Sequence, residues 1–164
     1  MELEFRRLTA RMTSNPTTGE LSGIAVPYNT ASRPIPGAAR EFREIMEPGA
    51  LTYDDATVVL VNHDQDGVPL ARVGAGTLTF AESTEGLMFT AQLPANRADI
   101  TEALERGDLD GSMSVGMYVE ADKWTHGEGQ SVRRVTRGYL AEVSIVRQGA
   151  YEKASATYGG KPNG

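Results

Sequence analysis

Apolar residues recur at every second position through much of this chain, and that period buries alternate side chains of β-strands. The clearest run is GSMSVGMYV, residues 111–119, in which Met113, Val115, Met117 and Val119 alternate with Ser114, Gly116 and Tyr118. Ser114 is therefore expected on the face turned away from the core, exposed, with the small Gly116 leaving room for approach beside it. YLAEVSIV, residues 139–146, sets Tyr139, Ala141, Val143 and Ile145 on one face and Glu142 and Ser144 on the other. TVVLVNHD, residues 57–64, is apolar on both faces until its polar end, as in a buried central strand, and His63 closes it.

Turn chemistry divides the remaining strand-like runs. ELEFRRLTA (2–10) and ELSGIAVPYN (20–29) flank SNPTTG and read as a first hairpin. A loop rich in Pro, Ala and Gly, ASRPIPGAAR, leads into EFREIM, and PGALTYDD reads as a helix start with Pro48 in its first turn. LARVGAGTLTFAES and GLMFTAQL form two strands joined around Ser83 to Gly86. RADITEALERG is the clear helix, with Ile100, Ala103 and Leu104 at helical spacing, Asn96 as its cap and Gly107 as its end. SMSVGMYVEADKW and SVRRVTRGYLAEVSIV make two long strands around THGEGQ. The predicted fold is mainly β (α+β): a single closed or nearly closed antiparallel β-barrel of about seven strands with one or a few flanking helices. Residues 1–151 make one domain, and 152–164, which include the turn-rich ATYGGKPNG, a flexible tail.

Composition narrows the functions this fold serves. A 164-residue chain is most simply one domain, burying roughly 70% of its unfolded surface without staples. The absence of cysteine removes disulfides, a thiol nucleophile and a thiolate metal site, and fits a reducing compartment. The net charge of -6, with scattered basic residues, argues against a nucleic-acid partner. No stretch approaches the ~20 apolar residues of a membrane helix. MELEFRRLTARM carries charge among its first apolar positions, so no membrane partner and no secretory leader is expected. HDQDG has only part of a calcium loop's ligands, and neither a metal nor a cofactor is expected.

Serine hydrolysis needs a nucleophile, a base within hydrogen-bond reach, and an acceptor that fixes the base's tautomer. Ser114 offers the hydroxyl, and the chain has only two histidines. His126 lies in WTHGEG and reads as a solvated loop residue, which leaves His63 as the candidate base. Glu142 is one candidate acceptor. Asp64 is the other, ranked behind because neighbours on a strand point to opposite faces. Taken singly, His63 reads as an ordinary structural histidine and Glu142 as surface charge.

The order of the motifs changes that weighting. VNHD, GSMSVGMYV and LAEVSIV occur in the order and approximate separation of the prohead, or capsid maturation, serine proteases of tailed bacteriophages, which are similar in fold to herpesvirus assemblin proteases. GIAVPYN, EFREIMEPGAL and GLMFTAQL also resemble motifs of that family, and the resemblance spans roughly Leu3 to Tyr151. It implies a Ser-His-Glu serine endopeptidase with His63 as general base, Ser114 as nucleophile and Glu142 as the acidic third member. Ser112 shares the face of Ser114 but does not match the family's serine. The loop after the third strand, Arg147, Gln148 and Gly149, is implied as a source of oxyanion-binding N–H groups, although RQGAY stands where many members have a segment ending in Pro-Ala. The implied partners are the major capsid protein and the scaffolding protein as substrates, the chain itself by autoproteolysis, and a second copy in a homodimer. The implied location is the host cytoplasm, packaged inside the procapsid. Two other readings remain open: a catalytically idle protease-like assembly factor, and an unrelated small-ligand barrel.

Overall fold

The computed structural model of this chain describes residues 1–147. In chain order its strands are β1 (Leu3–Arg11), β2 (Thr13–Asn15), β3 (Glu20–Pro27), β4 (Phe42–Met46), β5 (Leu51–Thr52), β6 (Val58–Val61), β7 (Ala71–Arg72), β8 (Leu78–Glu82) and β9 (Gly86–Gln92). Helix α1 (Ala98–Arg106) follows, and then the long pair β10 (Ser112–Gly127) and β11 (Gln130–Ile145). The protein is mainly β with one α-helix among the described residues.

Two sheets enclose the core. The larger runs β1-β10-β11-β6-β7, with β4 and β5 also paired to β11, and the smaller is antiparallel in the order β2-β3-β9-β8. Alternation along β10 and β11 turns Met113, Val115, Met117, Val143 and Ile145 inward, where they join Leu21, Val26, Leu87 and Phe89 in the core. Among the described residues these sheets do not close into the expected barrel: β1 and β7 end the larger sheet without pairing to each other.

Nor is the larger sheet wholly antiparallel. Strands β4, β5 and β6 lie parallel to β11, opposite Ser131–Val135, Gly138–Tyr139 and Glu142–Ile145 in turn. They behave as one strand broken twice, since all three follow the same edge in the same direction. The first break is the Pro48–Gly49 turn, closed by the Ala50 N–H on the Glu47 carbonyl at 3.0 Å, with Gly49 at φ +74°. PGALTYDD, expected to open a helix, instead breaks the strand at Pro48–Gly49 and resumes it as β5.

Two local expectations also change. β1 pairs with β10, while the hairpin around SNPTTG joins β2 to β3. A 3-10 turn at Ala95–Arg97 absorbs Asn96, so Arg97 takes the N-cap position of α1, with no side-chain cap hydrogen bond. Its end is as expected, with Gly107 left-handed at φ +80° and its N–H on the Leu104 carbonyl. No helix among the described residues is long and apolar enough to cross a membrane.

Candidate active site

The polar face of β10 and β11 carries the site. Ser114 is the register partner of Ser144, and Gly116 that of Glu142, so period-2 alternation gathers these side chains on one face. His63 arrives from the opposite edge of β11. After β6 the Asn62 N–H bonds the Ile145 carbonyl at 2.9 Å, and Asn62 and His63 take left-handed conformations at φ +50° and +58°. The chain thereby turns back on itself two residues past the strand, instead of ending in line with it.

His63 Nε2 lies 2.8 Å from Ser114 Oγ, and its Nδ1 is hydrogen-bonded to Glu142 Oε1. With Nδ1–H donating to the carboxylate, Nε2 is bare and accepts. The Glu142 carboxyl reaches the ring by crossing over Gly116. A Cβ at Gly116 would stand 2.7 Å from Glu142 Cγ and 2.8 Å from Oε1, so the crossing needs a residue without a side chain. Ser144 Oγ donates to Glu142 Oε2 at 2.9 Å and accepts the His63 main-chain N–H at 3.1 Å.

Ser114 Oγ also lies 3.0 Å from the main-chain carbonyl of Arg6 on β1. One hydroxyl proton therefore has two acceptors within reach, His63 Nε2 and the Arg6 carbonyl. Arg6 is held in turn: its Nε and Nη2 bond Glu44 Oε1 and Oε2 at 2.7 and 3.0 Å, and Arg133 Nη1 shares Oε2 at 3.2 Å. Burial alone would lower the Arg6 pKa. The hydrogen bond and negative charge of Glu44, aided by Glu4, outweigh burial and raise it, so the guanidinium stays charged.

Contrary to the expectation of exposure, Ser114 is 4% and Glu142 0% accessible, because β1 lies along β10 and the turn carrying His63 folds over the same face. Access is through a cleft of about 420 Å³ that opens onto His63 and Ser114 between Phe5 and Leu8 of β1 and a lip formed by Pro34, Ile35 and Pro36. The lip is fixed by reciprocal main-chain bonds between Ile35 and Phe42 at 2.8 and 2.9 Å. Phe5, 45% exposed, packs its ring against that of His63, with centroids 4.1 Å apart and planes tilted by 43°.

The other candidates fall outside this group. Asp64 caps its own turn, accepting the N–H groups of Asp66 and Gly67 at 3.1 and 3.0 Å. His126 bonds Ser131 Oγ at 2.9 Å and stacks on Trp124 at the far end of the hairpin. Ser112 is buried two residues before Ser114 and its N–H bonds Asp110 at 3.0 Å. Arg147 is exposed just past β11, while Gln148 and Gly149 lie outside the described residues, as does the tail 152–164. Among the described residues no cluster of three or more His, Cys, Asp or Glu side chains could hold a metal ion. Sequence reasoning missed the Arg6 carbonyl and Phe5, for which no motif gives a signal. It put Ser144 beside Glu142 without seeing their bond.

A hydroxyl, an imidazole and a carboxylate in this order are the parts of an acyl-transfer site. No curated protein and no solved structure matches the chain. The family model of the caudovirus prohead serine proteases matches residues 6–160, nearly the whole length. The chain belongs to the caudovirus prohead serine protease family, the serine proteases of phage capsid maturation.

Proposed function

We propose that the chain is a capsid maturation endopeptidase in which Ser114 is the nucleophile, His63 the general base and acid, and Glu142 the carboxylate that orients the imidazole. One observation carries the reading: a single ring, that of His63, meets Ser114 Oγ at 2.8 Å through one nitrogen and Glu142 through the other. Ser114 Oγ attacks the scissile carbonyl carbon while its proton passes to His63 Nε2. The C–N bond then breaks, the imidazolium gives that proton to the leaving amine, and an ester to Ser114 remains. Water, deprotonated by His63, opens the ester and restores the hydroxyl. Glu142 stays ionised throughout and stabilises the imidazolium. By likeness to the assemblins, the loop of Arg147, Gln148 and Gly149 is the candidate source of main-chain N–H groups for the oxyanion, where losing one donor costs ~100 to 1,000-fold in rate. The scheme uses no metal or cofactor.

The substrate segment binds extended in the cleft, its apolar side chains against Phe5 and the Pro34–Pro36 lip. Its sources are the scaffolding protein, the scaffolding segment of the major capsid protein, and the chain itself, inside the procapsid. The likeness to assemblins extends the proposal to a homodimer, for which specific activity rises with protein concentration. The test is co-expression with the capsid subunit and scaffold of the same genome, followed by intact-mass spectrometry, with Ser114→Ala in parallel. Defined cleavage products that vanish in the variant support the reading. Identical masses in both, with particles assembling normally, replace it with the idle assembly factor.

A further inference from the structure

We infer that Ser144 is a positioning residue of this site, a fourth side chain that locks His63 and Glu142 together. The inference rests on the triad reading above. Ser144 is fully buried on β11, between β10 and β6, as the register partner of Ser114 on one side and Leu60 on the other. Its hydroxyl accepts the main-chain N–H of His63 and donates to Glu142 Oε2, while Glu142 Oε1 takes the His63 ring nitrogen. The hydrogen bonds close a circuit: His63 main chain to Ser144, Ser144 to Glu142, Glu142 to His63 ring.

Each link meets a physical need. A carboxylate presents two oxygens, and at 0% exposure the one turned from His63 has no water to satisfy it, so Ser144 supplies the donor. That second bond fixes the plane of the carboxyl group and aims Oε1 at the ring. Asn62 and His63 occupy consecutive left-handed conformations, disfavoured for residues with a Cβ, and the bond to Ser144 anchors that turn at His63. Chains of hydrogen bonds polarise one another, so the circuit holds the carboxylate in place as His63 becomes charged.

The test compares the full chain with Ser144→Ala, Ser144→Thr, Ser144→Cys and Ser114→Ala, each below its melting temperature. The probe is a fluorophosphonate, which forms a bond from phosphorus to Ser114 Oγ, expels fluoride and passes the serine proton to His63. Ser144→Ala is expected to lower the labelling rate and the peptidase kcat about 10 to 100-fold, as for a small misplacement of reacting groups. KM should stay within about twofold, since nothing that touches substrate has been removed. The downfield proton resonance of the His63–Glu142 hydrogen bond should broaden or vanish, a change that a purely structural role would not cause. Ser144→Thr, which keeps a hydroxyl, should restore most of the rate. Ser144→Cys, of similar size but a weak donor, should not, and it carries the test if the alanine variant fails to fold. Labelling of Ser144→Ala and Ser144→Cys within about twofold of the unaltered chain, with the resonance intact, overturns the inference alone. An unaltered chain that is not labelled at Ser114, or a Ser114→Ala variant that still cleaves, overturns the triad reading and this inference with it.

Discussion

Gly116→Ala adds one methyl group and should disable the site while leaving the fold in place. The new Cβ would stand 2.7 Å from Glu142 Cγ. A comfortable carbon–carbon contact is about 3.5 Å, so the carboxyl must retreat by about 0.8 Å. Glu142 is 0% exposed and tied at both oxygens, so it cannot swing into solvent, and the retreat comes out of its bond to His63. Displacements of that size cost about 100-fold in rate, or about 2.7 kcal/mol of transition-state stabilisation. Overpacking costs a further ~1 to 3 kcal/mol of fold stability. The assay is kcat and KM on a peptide spanning a mapped cleavage site, with urea unfolding beside it. Gly127→Ala on the same strand is the control, because its Cβ would meet only the Gln130 carbonyl, at an ordinary 3.6 Å. A folded Gly116→Ala protein with unaltered kcat would mean that Glu142 does not orient His63 across this glycine.

Three further outcomes follow from the same contacts. Glu142→Gln keeps the shape but replaces the anion with an amide that favours the wrong imidazole tautomer, and kcat should fall about 10,000-fold with little change in melting temperature. Glu44→Ala removes the acceptor that Arg6 and Arg133 share, and urea unfolding should register a loss of about 3 kcal/mol; a change below about 1 kcal/mol would show that Glu4 and Asp122 hold both guanidinium groups unaided. For Glu4, burial pushes the pKa up, but the hydrogen bond from Arg133 and the positive charges of Arg6 and Arg133 outweigh it and leave the folded-state value below the ordinary 4.5. A depressed carboxylate stabilises the fold above its unfolded pKa and loses that contribution as pH falls through the folded value. Glu4→Gln should therefore melt lower than the unaltered chain at pH 7, with the gap closing below pH 4.5; a gap that persists in acid would refute the charge argument.

The legible parts of the fold were those that depend on near neighbours in the chain. Period-2 alternation over Met113–Val119 and Tyr139–Ile145 put Ser114 and Glu142 on polar faces, and Gly107 marked the end of α1 because only its φ of +80° closes that turn without strain. The parallel ladder from β4 to β6 was not legible. Its contacts join residues such as Phe42 and Ser131, and alternation is the same whether a strand's partner runs parallel or antiparallel. An antiparallel barrel was the simplest closure of the visible strands, and the broken strand along β11 takes the edge that such a closure would use. The Pro48–Gly49 signal was real but ambiguous, since proline opens helices and also interrupts strands.

The site shows the same division at finer scale. A mid-strand glutamate reads as surface charge until its register partner is known to be a glycine; then the pair Gly116 and Glu142 explains how a carboxylate is buried without a clash. Burial is what turns that glutamate from solvated charge into an aimed one, because a carboxylate in water would reorient freely. His63 follows the same logic. In an extended continuation of β6 its ring would fall on the core face with Val59 and Val61, but the left-handed turn at Asn62 and His63 brings it to the other face, against Ser114. Asparagine is among the residues that best tolerate that conformation, so NHD carries in its first residue a cue to the turn as well as in its second a cue to the chemistry. What joins the three side chains is therefore β11, which pairs with the strand carrying Ser114 on one edge, with the strand leading to His63 on the other, and supplies Glu142 and Ser144 from its own polar face.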